Sequence, residues 1–142
     1  LIINKLITLN NFYYKYFNYK PKIAILGLNP HNSEMKNDSE EIKTIIPAVK
    51  KLKRKVSIKG PFPSDTAFLK NNLKNYDVIV GMYHDQVLTP FKALFEFNAV
   101  NITLGLPYLR LSPDHGIARD KKKLNISNPL SLNQCIYTIS RL

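Results

Sequence analysis

Four short apolar runs punctuate the chain: KIAILGLN (residues 22–29), VSI (56–58), YDVIV (76–80) and NAVNITLGLP (98–107). Between them lie segments whose apolar positions recur at helical spacing. Runs of this length, without a polar residue at every second position, suit strands buried on both faces, as in parallel sheets. Strand and helix alternating along a chain define an α/β class with a largely parallel sheet. The first helix is expected from Ile2, Leu6, Leu9, Tyr13, Tyr14 and Phe17, with Pro21 closing it. Ser39 precedes EEIKTIIPAVKKLKRK, whose acids fall in the first turn and bases in the last, as the helix dipole prefers. Pro47 is expected to kink or divide that helix. GPFPSDTAF reads as a fixed turn, with Ser64 or Asp65 capping a short helix from Thr66. PFKALFEF reads as a helix and LRLSPDHGIARDKKK as a loop. SLNQCIYTISRL closes the chain as an amphipathic helix with Leu132, Ile136 and Ile139 on one face.

At 142 residues the chain is long enough for one domain with a core of its own, and a single domain over residues 1–142 is expected. No apolar stretch approaches the roughly 20 residues of a membrane-spanning helix, so no membrane partner is expected. The N-terminal segment, broken by Asn and Lys, makes a poor signal peptide. The lone Cys135 cannot support a disulfide framework and fits a reducing cytoplasm. A start at Leu1 rather than Met suggests the later part of something longer. The formal charge of +11 raises the question of nucleic acid. Yet the densest basic groups, Lys50 to Lys55 and Lys121 to Lys123, lack the interleaved aromatics that would stack bases. A solvated basic surface, or one that attracts small anions, is the expectation, with no nucleic-acid partner.

Ligands in open α/β sheets collect beyond the carboxyl ends of the strands. Polar clusters fall at three such ends: Pro30–His31, Tyr83–His84–Asp85–Gln86, and the stretch holding Arg110, Asp114 and His115. All three histidines of the protein therefore follow a strand or its loop. Neutral imidazoles ligate divalent metals, and His31 and His84 would converge if their strands were neighbours. Spacing alone leaves this open against capping or surface roles. Lys92 and Arg110 suit a phosphate or carboxylate but equally suit a solvated surface. Asn101, inside an apolar strand, reads as a buried amide that must pair with backbone or face a ligand.

In order and spacing, IAILGLNPH, EEIKTIIPAV, GPFPSDTAF, VIVGMYHDQVLTPFK and VNITLGLPYLRLSPDHGIA resemble the 4-hydroxythreonine-4-phosphate dehydrogenases of vitamin B6 (pyridoxal phosphate) biosynthesis. The resemblance covers essentially the whole chain but only the C-terminal half of the family. It implies an α/β/α layered fold similar to the isocitrate and isopropylmalate dehydrogenases, here partial, and a cytoplasmic homodimer acting on a phosphorylated small molecule. It also implies NAD, with NADP not distinguished, and a divalent metal: zinc, magnesium or cobalt. By motif, His31 and His84 match two of three metal-binding histidines, and Lys92, Asn101 and Arg110 match substrate-contacting residues. Asp65 and His115 fall in family motifs with cofactor or structural roles open, and no residue is assigned as catalytic. The implied reaction oxidises 4-phosphooxy-L-threonine to a 3-oxo acid that decarboxylates to 3-amino-2-oxopropyl phosphate. Departures are visible. No histidine precedes His31, so the third ligand is missing. NSEMKNDSEE replaces a glycine-rich loop, and Val87 stands where the family has glycine. A truncated, non-catalytic remnant of the enzyme is the alternative.

Overall fold

The computed structural model describes residues 1–32, 36–114 and 128–142. The chain divides into two compact units, Leu1–Pro90 and Phe91–Leu142. The dividing point falls inside a helix.

The first unit is built on a three-stranded parallel sheet of order β2-β1-β3, with β1 Ile23–Leu26, β2 Ile58–Phe62 and β3 Val78–Val80. All four residues of β1 are buried, as expected for a central parallel strand covered on both faces. Ile23 and Ile25 join Leu6 of helix α1 (Ile2–Phe17), Val49 and Leu52 of helix α2 (Ile46–Leu52), and Ile45, Val56 and Ile58 in one apolar cluster. Each fully buried aliphatic side chain of this kind contributes about 1.5–3 kcal/mol.

Local chemistry set the element ends differently from expectation in several places. Helix α1 stops at Asn18, which turns left-handed (φ 57°) and donates its N–H to the Tyr14 carbonyl, three residues before Pro21. Its C-terminal aromatics, expected on the core stripe, gather instead among themselves: Phe12, Tyr13, Tyr16, Phe17 and Tyr19 form successive ring contacts. Ser39 accepts the Ile42 N–H at 3.4 Å, starting a helical segment as expected. That segment opens with a wide π-helical turn, Glu41–Ile45, and becomes α-helical only at Ile46. The change falls directly before Pro47, whose missing N–H cannot continue a regular ladder. Strand β2 begins where the sequence suggested it would end, and it runs on through Gly60 and Pro61 to Phe62. Gly60 makes this possible: it holds φ +125°, and a Cβ there would lie 2.3 Å from the Ile25 carbonyl oxygen. Helix α3 (Ser64–Ala67) starts two residues before Thr66, and neither Ser64 nor Asp65 is its N-cap; that position belongs to Pro63. Helix α4 (Lys70–Leu73) follows.

Helix α5 (His84–Phe95) begins six residues earlier than PFKALFEF suggested, so the polar cluster is its first turn rather than a loop. In the second unit, β4 (Val100–Thr103) is not a further parallel strand. It pairs antiparallel with β5 (Arg110–Pro113), which lies in the segment read as a loop. The register opposes Asn101 to Ser112 and Thr103 to Arg110. Helix α6 (Leu130–Ile139) buries Ser131 and Cys135, while Leu132, Ile136 and Ile139 are each more than half exposed. Its apolar stripe exists but faces outward, because Ser131 is bonded inward to the hairpin. No helix among the described residues is long and apolar enough to cross a membrane.

Truncating the centre of the parallel sheet should be costly. Ile25→Ala is expected to lower stability by about 2–5 kcal/mol, read as a fall in the urea midpoint at unchanged m-value.

Candidate functional site

Parallel pairing of β1 with both β2 and β3 puts the carboxyl ends of all three strands on one rim. The backbone leaves β1 at Gly27 and reaches His31, leaves β2 at Phe62 and reaches Asp65, and leaves β3 at Val80 and reaches His84. The structure therefore brings His31, Asp65 and His84 to the same rim, where α/β folds collect ligands. Beside His31 an open depression of about 510 Å³ is lined by Asn29, Pro30, Lys36, Asp38, Ser39 and Glu40.

Both rings are exposed and both meet a carboxylate through Nδ1. His31 lies 3.7 Å from Asp65 Oδ2, and His84 lies 2.6 Å from Asp85 Oδ1. A carboxylate on one ring nitrogen is how ligand imidazoles are commonly oriented, with Nε2 left as the metal donor. The donor set thus suits a borderline-soft divalent ion. It is not a complete set: among the described residues, no three His, Cys, Asp or Glu side chains gather where they could hold a metal.

Beside the exposed histidines lie buried polar residues, of which sequence reasoning had named only Gln86, as one member of a polar cluster. Glu41 is fully buried. Its Oε1 accepts the N–H groups of Leu28 (2.8 Å) and Asn29 (3.1 Å), fixing the turn that leads to His31. Burial pushes its carboxyl upward. The N–H groups of Asn29, Leu28 and Glu41 itself, with the Ser39 hydroxyl, outweigh that and hold it below its ordinary 4.5. Asn32, also buried, donates Nδ2 to the Pro61 carbonyl at 3.1 Å. Gly27 leaves room for both, since a Cβ there would lie 1.9 Å from Asn32 Oδ1 and 3.1 Å from Glu41 Oε1. Gln86 is the one buried residue of α5. It donates Nε2 to the Gly27 carbonyl and accepts the Met82 N–H at Oε1, both at 2.7 Å. Glu41 had read only as a first-turn acid favouring the helix dipole. Its burial depends on a turn twelve and thirteen residues earlier in the chain, which periodicity does not report.

The three predicted substrate residues belong to the second unit. Lys92 is not a free surface cation. Its ammonium lies 2.8 Å from Asp114 Oδ2, also donates to the Asp114 carbonyl, and sits 5.6 Å over the Phe97 ring. Asp114 is held in turn: its N–H donates to Ser131 Oγ at 2.7 Å, and the buried Ser131 hydroxyl donates to the Ala99 carbonyl at 2.6 Å. Arg110 donates Nη1 to Thr103 Oγ1 at 2.8 Å across the hairpin. Asn101 is exposed on β4, contrary to the buried amide that its apolar neighbours suggested. Along the two strands of the hairpin only Asn101 and Arg110 are exposed, the other residues being half-buried. His115 lies outside the described residues.

Within the first unit, imidazoles and carboxylates stand at the carboxyl rim of a parallel sheet, where α/β proteins place ligand-binding groups. Comparison with known proteins narrows this. Residues 1–139 match the family model described as "Pyridoxal phosphate biosynthetic protein PdxA". A 4-hydroxythreonine-4-phosphate dehydrogenase of Sulfurihydrogenibium is 48% identical over 138 residues, covering 95% of this chain and 42% of the relative. One from Xanthobacter autotrophicus is 46% identical over 124 residues, covering 86% and 35%. The crystal structure of the Klebsiella pneumoniae enzyme of the same name superposes with a TM-score of 0.78 at 36% identity, over 96% of this chain and 42% of that one. The Burkholderia phymatum structure gives 0.72 at 35%, over 92% and 41%. The chain belongs to the PdxA family of pyridoxal phosphate biosynthetic proteins, and spans about two fifths of the length of these relatives.

The buried carboxylate makes a test of the rim. Glu41 has a lowered pKa in the folded state, so its contribution is complete above the unfolded value near 4.5 and is lost as pH falls through the lower folded value. Glu41→Gln should cost about 1–3 kcal/mol at pH 7. It should also flatten the acid limb of stability below pH 4.5, as measured by urea unfolding at stepped pH.

Proposed function

We propose that this chain forms the C-terminal part of a 4-hydroxythreonine-4-phosphate dehydrogenase. The enzyme would oxidise 4-phosphooxy-L-threonine, with NAD or NADP, to a 3-oxo acid that decarboxylates to 3-amino-2-oxopropyl phosphate on the route to pyridoxal 5'-phosphate. The observation that carries the reading is the family match over residues 1–139; His31 and His84, which resemble family motif positions, follow neighbouring parallel strands to one rim.

In this reading His31 and His84 supply two ligands of a divalent cation, zinc, magnesium or cobalt, with further ligands from the part of the family fold outside these residues. His31 and His84 would hold the ion, which would supply Lewis-acid chemistry to a substrate alcohol, and a nicotinamide would supply the hydride acceptor. Asp85, 2.6 Å from His84 Nδ1, orients that ring, while Asp65 stands 3.7 Å from His31 Nδ1, outside hydrogen-bond reach. No residue of this chain is assigned to the nucleotide, because its five glycines include no Gly-x-Gly-x-x-Gly spacing. Lys92 and Arg110 grip anionic groups of the substrate by charge-assisted hydrogen bonds, and the exposed amide of Asn101 adds a neutral contact. Asp114 holds the Lys92 ammonium in place, so little side-chain freedom remains to be lost when an anion arrives.

The whole enzyme, in this reading, has the layered α/β/α fold of the isocitrate and isopropylmalate dehydrogenases and works as a cytoplasmic homodimer without nucleic-acid or membrane partners. The outward apolar stripe of α6 supports burial against further protein. Two departures from the family pattern, NSEMKNDSEE in place of a glycine-rich loop and Val87 in place of a glycine, favour a second reading, a non-catalytic remnant.

NAD reduction with 4-phosphooxy-L-threonine and each metal should separate them. The chain is assayed alone and mixed with a relative's unmatched N-terminal part. Activity in the mixture is expected; inactivity in both arms favours the remnant. Lys92→Ala should lower kcat/KM of the active mixture about 10–100-fold, the worth of one charge-assisted bond.

A further inference from the structure

We infer that Gln86 is a positioning residue that sets the offset between the two histidine-bearing turns; its link to a shared cation rests on the reading above. The register of β1 with β3 ends at Ile25 opposite Val80. Beyond that point the backbones no longer pair directly. The Gln86 side chain takes over, donating to the Gly27 carbonyl and accepting the Met82 N–H as a peptide group would. One planar amide therefore fastens the turn after β1 to the turn after β3, across 59 residues of sequence.

Each histidine adjoins one end of this fastening along the chain. On one side, Glu41 fixes Leu28 and Asn29, the Asn32 N–H bonds back to the Asn29 carbonyl at 3.0 Å, and Asn32 reaches Pro61. The backbone of His31 lies between these anchors, and its ring is exposed. On the other side, His84 opens α5, two residues ahead of Gln86. Gly81 permits the close approach, since a Cβ there would stand 2.7 Å from Val87 Cγ1 and 3.2 Å from Gln86 Oε1. A buried leucine would fill the position at no polar desolvation cost. What the amide adds is direction, because two opposed hydrogen bonds fix both the distance and the tilt between the turns.

The test uses the 142-residue chain, with Co²⁺ alone as probe and NMR of the His31 and His84 rings as readout. In the unsubstituted chain both rings should respond with one midpoint. Gln86→Leu should raise that midpoint about 10–100-fold, as loss of an outer partner does at metal sites, and give the two rings separate midpoints. It should also speed Met82 amide exchange at least tenfold while the far-UV CD is kept. Unchanged cobalt response at both rings in Gln86→Leu, or unchanged Met82 exchange, overturns the proposal. Should Gln86→Leu fail to fold, Gln86→Glu, which keeps the Met82 bond and loses the donor to Gly27, takes its place with the same cobalt outcomes. Separate midpoints in the unsubstituted chain would sink the shared-cation reading alone. The clamp is then judged without metal: a displaced His31 ring resonance in the Gln86 variant supports it, and an unmoved one overturns it.

Discussion

The backbone groups at the carboxyl end of β1 must be satisfied where the sheet stops and water is scarce. Gly27 donates its N–H to the Phe62 carbonyl, and its own carbonyl accepts from Gln86, while the next two N–H groups are taken by Glu41. Leaving such groups unpaired would cost roughly 1–3 kcal/mol each. Glu41, Asn32 and Gln86 are therefore buried polar residues with a purpose in the fold. Everything exposed on that rim, His31 and His84 above all, inherits its position from them.

The same logic appears in the second unit at smaller scale. Ser131 is fully buried and joins the Ala99 carbonyl to the Asp114 N–H, and Asp114 in turn receives Lys92. Among the described residues of this unit, only Ala99 and Cys135 are buried hydrophobics. Polar bonds with fixed directions do work that a larger core would otherwise do. Helix α6 consequently turns its small residues inward and leaves its large ones outside.

Much of this was legible along the chain. Buried parallel strands announce themselves as short unbroken apolar runs, and β1 and β3 fell within the runs read for them. The residues that match family motifs could be named because motif order survives in one dimension. The errors share one cause. β5 was read as a loop because RLSP has no period, and its pairing with β4 is decided by a partner rather than by its own sequence. Asn101 was judged by its apolar neighbours, yet it is the one exposed residue of β4, a matter of what the hairpin packs against rather than of local composition. The start of α5 was missed because a polar first turn looks like a loop until Gln86 is seen reaching back to Gly27.

Sequence by itself determined the α/β class, the runs that hold β1 and β3, and the chemical types available at the strand ends: imidazole, carboxylate, amide and cation. Only tertiary structure decided which of these meet. Lys92 is committed to Asp114, the two histidine turns are joined through Gln86, and a glutamate that looked like a helix-end charge lies sealed beneath a turn. The reason is physical: hydrophobic periodicity is a local property of a chain, whereas a hydrogen bond between residues 27 and 86 exists only after the sheet has brought them within 3 Å.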